Sequence, residues 1–336
     1  MKKEEKQILL SDLGNIYSSN GDFTAQAAIL QSYYRISQNE PCGLTRTIIV
    51  TGYDANGKTI RKSVPKLYGH ILQNGLEQNK NFFFVETFEY AHHRVKFKTK
   101  DETIRVDRLF NNLLSSMPLA FNLFHPLMMM MEKHSDELTK MIQNVFPELP
   151  VSKINKIRIE FVPAPIQNYT NNKSAMDAAI EFSEEDGNSY IISIETKYTD
   201  ELGQNKASDN LTLLAIAKEL NMFTEAGINK IAQGCTQIYR NFLSTEKYAA
   251  VHNLKDSLSI ILAPENHPTT EKEMNSLLQV LKPEYHYKLK KYSLENFVKS
   301  LELNCPESFR LWLDWFYDRY LNFTKTEHLY QQFKQQ

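Results

Sequence analysis

Apolar and polar positions along the chain follow two periods, and the change from one to the other maps the elements. Residues 7–38 predict helix, most clearly over 23–38 (FTAQAAILQSYYRISQ), which is long and free of Gly and Pro. Residues 45–53 and 83–88 are rich in β-branched and aromatic side chains and predict strands. Asn56-Gly57 falls between Ile48-Ile49-Val50 and Thr59-Ile60, a hairpin signal because this dipeptide accepts the positive φ of a two-residue turn. Residues 94–98 alternate, and as a strand would place Arg94, Lys96, Lys98 and Lys100 on one face. That row reads either as a phosphate-binding face or as cations protecting an exposed edge. Residues 104–146 predict helices with a break at Pro126.

From residue 155 the pattern changes. A strand over 156–162 (KIRIEFV) stops at Pro163-Ala164-Pro165. A second covers 176–183 and a third 189–198, followed by a polar loop over 199–210. Helices are expected near 210–222 and 225–243, then a buried strand over 258–263. The rest reads as mainly helical, ending with Trp312, Trp315, Tyr317 and Tyr320. The expected fold is α/β, with residues 1–100 as an N-terminal α+β extension packed on a core of residues 101–336 that includes C-terminal helices.

Composition narrows the function classes. Hydrophobic residues make up 42% of the 336 positions, with 19 Phe and 17 Tyr, enough for a sizeable core. The three cysteines, Cys42, Cys235 and Cys305, contain no CxxC pair. Zinc-ribbon and thioredoxin-type chemistry are thereby excluded, and the expectation is a reducing cytoplasm. Met1-Lys2-Lys3-Glu4-Glu5-Lys6 has no apolar run behind it and is not expected to be a signal peptide. The most apolar stretch, 117–131, is interrupted by Asn122, His125 and Pro126 and is shorter than the roughly 20 residues a bilayer needs. It is expected to be a core helix; its methionine run, 128–131, would otherwise mark an adaptable binding surface. A net charge of −1 argues against a DNA-coating protein, so nucleic-acid contact would have to come from local patches. No Gly-rich phosphate loop, GxSxG or HExxH is present, which removes support for P-loop hydrolysis, serine hydrolysis and zinc proteolysis.

Candidate chemistry arises from the second and third strands. Between them lies Glu184-Glu185-Asp186-Gly187-Asn188, which fits a three-residue hairpin loop with Gly187 at the positive-φ position. In that register Glu184 faces Asn188, and Asp177 faces Glu195 further along. Lys197, two residues on, shares the face. Met176, Ala178, Ile180 and Phe182, with Tyr190, Ile192, Ile194 and Thr196, would form the opposite, core face; Ala179 and Ser193 keep the acidic face small and polar. Two opposed acids repel unless a cation intervenes. Oxygen donors would select a hard ion, Mg²⁺ or Mn²⁺. The competing reading is a salt-bridged hairpin, since acid-x-Lys is a common tripeptide that recurs here at Glu4-Glu5-Lys6.

Asp177, the strand-borne Glu195-Thr196-Lys197, and the order helix–strand–strand–strand–helix–strand resemble the PD-(D/E)XK nuclease superfamily with its restriction-endonuclease-like fold. Segments 113–124 (LLSSMPLAFNLF), 159–165 (IEFVPAP), 194–200 (IETKYTD) and 233–243 (QGCTQIYRNFL) resemble an uncharacterised bacterial subfamily, from about residue 25 to 325. Met176 stands where the superfamily's name places proline. The resemblance implies a mixed sheet flanked by helices. It also implies that Asp177, Glu195 and the backbone carbonyl of Thr196 bind metal and that Lys197 is catalytic.

The helix over 225–243 carries an apolar stripe, Ile228, Ile231, Cys235, Ile238 and Phe242, and a polar one, Lys230, Gln233, Gln237 and Arg240. In the resembling fold this helix lies beside the active site, so the polar stripe is a candidate nucleic-acid contact; a solvated helix face is the alternative. Glu160 is a further candidate metal ligand, or else a salt-bridge partner of Arg158 or Lys156. His92-His93 is read as structural. The expected activity is metal-dependent hydrolysis of phosphodiester bonds, with DNA as partner. The alternative is a catalytically inactive nucleic-acid-binding or protein-interaction module of the same fold. No interface signal argues for or against a homodimer.

Overall fold

In the computed structural model, residues 8–18, 21–53, 55, 58–207 and 209–336 are described. The Asn56-Gly57 turn expected between the first two strands lies outside them. Helix α1 (Asp22–Ser37) leads into a long hairpin of β1 (Cys42–Tyr53) and β2 (Thr59–Leu72). Helices α2 (Val85–Lys96), α3 (Val106–Phe110), α4 (Ser116–Lys133) and α5 (Ser135–Val145) follow. Next come β3 (Lys153–Phe161), β4 (Met176–Ser183) and β5 (Ser189–Thr196). Three helices, α6 (Asn210–Leu220), α7 (Glu225–Gln233) and α8 (Gln237–Val251), precede β6 (Asp256–Ala263). The chain ends through α9 (Thr270–Leu278), β7 (Leu289–Ser293), α10 (Leu294–Glu302), α11 (Glu307–Tyr320) and α12 (Glu327–Lys334).

Two compact units result, interleaved in sequence. The smaller combines residues 1–81, 106–114 and 318–336. In it α1 packs on β2 and α12, and Arg35 is buried, donating from Nε to the Gly69 carbonyl at 2.8 Å. Gly69 must be glycine, because a Cβ there would fall 2.0 Å from the Leu13 carbonyl.

The larger unit, residues 82–105 and 115–317, holds a five-stranded sheet of order β3-β4-β5-β6-β7. β3, β4 and β5 are antiparallel, whereas β6 and β7 join in parallel. Helix α4 covers one face of the sheet and α8 the other. The expected core order is therefore present, with the mixed sheet flanked by helices. The loop over 184–188 is as anticipated: Gly187 sits at φ +83° and the Gly187 amide donates to the Glu184 carbonyl at 3.0 Å. The ladder runs from Ser183↔Ser189 to Ala178↔Ile194, the register in which Asp177 comes opposite Glu195.

Several local expectations are overturned. Residues 83–88 are not a strand; α2 begins at Val85, and buried Thr87 and Ala91 lie one helical turn apart. Helical periodicity there outweighs the β-propensity of the phenylalanines. Residues 94–98 are likewise not a strand. Arg94 and Lys96 occupy the last turn of α2, where cations complement the helix dipole. Arg94, Lys96, Lys98 and Lys100 thus form no strand face. Pro126 does not break α4. Its missing hydrogen bond and ring clash cost about 3 kcal/mol. The fully buried Leu119, Phe121, Leu123, Phe124 and Leu127 each contribute about 1.5–3 kcal/mol. The helix expected over 225–243 is two helices, interrupted at Gly234 with φ +133°. Around this break Cys235 accepts from the Ala207 amide and donates to Asn210 Oδ1, so backbone groups leave the helical ladder. β7 was not anticipated from the sequence.

The acidic side of β5 is also more enclosed than expected. Ile191 and Ser193 are buried like the residues of the opposite face. Thr245 of α8 donates to Ser193 Oγ at 2.7 Å, and Ser193 bonds Ser259 Oγ on β6. Both faces of β5 are core, and its acidic residue lies at the strand end.

Candidate active site

The charged constellation lies where β4 and β5 part beyond Ala178↔Ile194. Asp177 precedes that pair on β4; Glu195 and Thr196 follow it at the end of β5, and Lys197 comes directly after the strand. The Lys197 amide continues the parallel ladder by donating to the Leu262 carbonyl at 2.8 Å, which fixes the backbone of the motif.

Glu195 is 6% exposed and both oxygens of its carboxylate accept hydrogen bonds. Oε1 accepts from Lys197 Nζ and from Gln237 Nε2, the latter at 2.8 Å, while Oε2 accepts from Asn241 Nδ2 at 2.5 Å. Gln237 and Asn241 are one turn apart on α8, so a single helix face presents both amides to one carboxylate. Gln237 is itself positioned by the Gly203 amide, which donates to its Oε1 at 2.7 Å.

Asp177 faces the same strand end through Thr196. Its Oδ2 accepts from the Thr196 amide and hydroxyl, each at 2.8 Å. Oδ1 accepts no hydrogen bond from any described residue. Burial pushes the Asp177 carboxyl up to about 7, and the Glu195 charge adds to the rise; Lys197 and the two Thr196 bonds oppose it. Burial alone would lower the Lys197 ammonium, but the charges of Glu195 and Asp177 outweigh it and hold its pKa above the ordinary value. The site therefore keeps a protonated lysine beside a carboxyl destabilised in its charged form.

Glu160 is 4% exposed and sits on β3 at the position facing Asp177, between the pairs Ile159↔Ala178 and Phe161↔Met176. Its backbone is left-handed at φ +50°, a conformation of order 1–3 kcal/mol above the strand for a non-glycine residue. Arg94 holds this kink by donating to the carbonyls of Ile159 and Glu160 while pairing with Glu102. Arg158 pairs with Glu181, not with Glu160.

The polar stripe divides at the Gly234 break. Gln237 reaches the site. Arg240 lies at its edge, with Nε 2.9 Å from Ser174 Oγ, three residues before Asp177; burial lowers its pKa. Lys230 and Gln233 lie on α7, are exposed, and do not join the cluster. Lys230 sits over the Tyr239 ring and the Gln233 carbonyl accepts from Lys206. Asn241 was missed by sequence reasoning, although its i+4 spacing from Gln237 was a usable signal. Asp200 was also missed; it binds Ser116 at the start of α4, and Thr196 Oγ1 lies 3.5 Å from the Ser116 carbonyl.

No group of three His, Cys, Asp or Glu side chains able to hold a metal ion occurs among the described residues. The donor set still fits a hard cation. Asp177 Oδ1 has no partner among the described residues and Glu195 Oε2 has one, leaving acceptor capacity on two adjacent carboxylates. Magnesium is commonly bound through one or two carboxylates and retains several waters, so two acids suffice.

A sequence profile of the PD-(D/E)XK nuclease superfamily matches residues 18–322. No curated protein and no solved structure shows a significant match to the chain.

Proposed function

As the chain belongs to the PD-(D/E)XK nuclease superfamily, we propose that it is a divalent-metal-dependent nuclease that hydrolyses phosphodiester bonds in DNA at the Asp177–Glu195–Lys197 site. Nucleases of this superfamily generally use divalent metals. The observation that carries the reading is the convergence on one strand end of two carboxylates, a buried ammonium and two amides from α8.

In this reading Asp177, Glu195 and the Thr196 carbonyl would hold Mg²⁺ or Mn²⁺, with Glu160 as a further candidate acid. A bound divalent ion supplies Lewis-acid chemistry, polarising a phosphoryl oxygen and acidifying a coordinated water. The chain's own groups do the positioning. Gln237 and Asn241 fix the Glu195 carboxylate. Lys197, kept protonated by its two acidic neighbours, acts as a hydrogen-bond donor and positive charge for the attacking water or a phosphoryl oxygen. Arg240, at the edge, is placed to meet phosphate.

One observation favours a second reading. Glu195 already accepts hydrogen bonds from Lys197, Gln237 and Asn241, as in a site that has ceased to cut and only binds. The purified protein incubated with supercoiled plasmid and circular single-stranded DNA, in Mg²⁺, Mn²⁺ or EDTA, separates the two. Metal-dependent cutting that vanishes in Lys197→Ala supports the nuclease. DNA binding without cutting in both proteins moves the binding module ahead.

A further inference from the structure

We propose that the β1–β2 hairpin is a DNA-docking ribbon that lies in the major groove of a duplex. The inference rests on the nuclease reading only in taking nucleic acid as the polyanion.

The first observation is charge. Between Cys42 and Leu72 stand Arg46, Lys58, Arg61, Lys62 and Lys66 against one acid, Asp54, in a chain whose net charge is −1. The remainder is therefore net acidic, whereas this hairpin is net basic. Among the described residues, none of Arg46, Arg61, Lys62 and Lys66 pairs with a carboxylate.

The second observation is register. Arg46 faces Pro65, and Arg61 faces Val50, which places both arginines on one face with Ser63 between them. Lys62 and Lys66 occupy the other. Arg46 bonds Ser63 Oγ at 3.1 Å and Lys66 lies over the Tyr68 ring, so both are directed along the ribbon. Each face thus carries two like charges that no described residue of the ribbon neutralises.

The third is exposure. Residues 60–63 and 65–67 of β2 are exposed, and only 68–72 are buried. Tyr53 and Leu44 are 69% and 64% exposed. Beyond the buried residues 68–72 the described part of β2 gains little packing, and a two-stranded hairpin is at best marginally stable by itself. Lysines alone are a common device for protecting a sheet edge, but bare Leu44 and Tyr53 beside arginines defeat that purpose.

Dimensions select the partner. Two strands about 4.8 Å apart make a ribbon that the major groove of B-DNA, about 12 Å wide, admits. The deep, narrow major groove of A-form RNA does not admit it. Cations on both faces then meet the phosphates of both groove walls.

The test uses the full chain in EDTA, so binding is read without cleavage. Fluorescence anisotropy follows a 20-base-pair DNA duplex, the same sequence as duplex RNA, and phosphatidylserine vesicles. Wild type is compared with R46Q/R61Q/K62Q/K66Q, whose thermal midpoint verifies folding. The proposal expects the variant to lose about tenfold or more in DNA affinity at 100 mM salt. It also expects the slope of log K against log salt to become shallower by about 3–4, since each phosphate contact contributes about 0.9. Unchanged DNA affinity and slope, equal affinity for duplex RNA, or ribbon-dependent binding to vesicles with none to DNA would each overturn it. A wild type that cuts DNA while the variant binds as well as it does would refute the ribbon and leave the nuclease standing. Ribbon-dependent binding by a protein that never cuts would do the reverse.

Discussion

Lys197→Met keeps the length of the side chain and removes its charge. Glu195, 6% exposed, would then face Asp177 with only Gln237 and Asn241 as donors. Breaking a buried ion pair from one side costs about 3–5 kcal/mol, because an uncompensated charge stays in low dielectric. Two amide donors remain on Glu195, so the expected loss is near the lower end, about 3 kcal/mol in EDTA. The double variant Glu195→Gln/Lys197→Met removes the orphaned Glu195 charge and leaves only Asp177, whose burial favours its neutral form, so it should regain most of that loss, a coupling of about 2–3 kcal/mol. Millimolar Mg²⁺ should restabilise Lys197→Met, since an ion at a hundred times its Kd adds about 2.7 kcal/mol to the folded state. Chemical denaturation of the four proteins of the cycle, with and without metal, reads all three quantities. Single-variant losses that simply add in the double variant, or a Lys197→Met as stable as wild type in EDTA, would refute the reasoning.

Asn241→Leu removes one donor from Glu195 Oε2 while keeping the helix; a hydrogen bond to a charged group is worth about 1.5–3 kcal/mol. The loss should appear in the denaturation midpoint, and Gln237→Leu should resemble it. Acid sensitivity follows from two buried imidazoles. Burial pushes His70 and His125 down to about 4, from an ordinary value of 6.5. On acidification the unfolded chain takes up these protons first, so stability is full above about pH 6.5 and falls toward pH 4. Each group contributes about 1.4 kcal/mol per pH unit in that window. His125→Gln should flatten the stability profile there, and an unchanged slope would show that His125 does not titrate in this way.

The part of the molecule nearest the chemistry was the most legible in sequence. Turn chemistry at Gly187 set the β4–β5 register, and with it the place of Asp177 opposite Glu195. Dense runs of β-branched and apolar residues also marked β3, β4, β5 and β6, as expected of strands buried on both faces. The failures share a physical origin in competition between local and tertiary forces. Val85–Lys96 carries β-formers yet folds as a helix, since Thr87 and Ala91 bury on a helical spacing. Gly234 sat inside a periodic stripe that runs through it; its positive φ, with the Cys235 carbonyl accepting from the Ala207 amide, ends α7. Asn241 went unseen because its i+4 spacing from Gln237 becomes informative only once that helix face is known to meet a strand end 46 residues earlier. The left-handed backbone of Glu160 had no local signal either, as it is held by Arg94 from a distant helix.

The most direct test of the nuclease account is single-turnover cleavage of an end-labelled DNA duplex by wild type and Asp177→Asn, each in Mn²⁺ and in EDTA. The substitution preserves the shape of the side chain and removes the charge that a cation needs. The account expects product only from the wild type, only with metal, and ending in the 5′-phosphate or 3′-phosphate of a hydrolysed diester. Cleavage that survives Asp177→Asn, or that proceeds equally in EDTA, would contradict it.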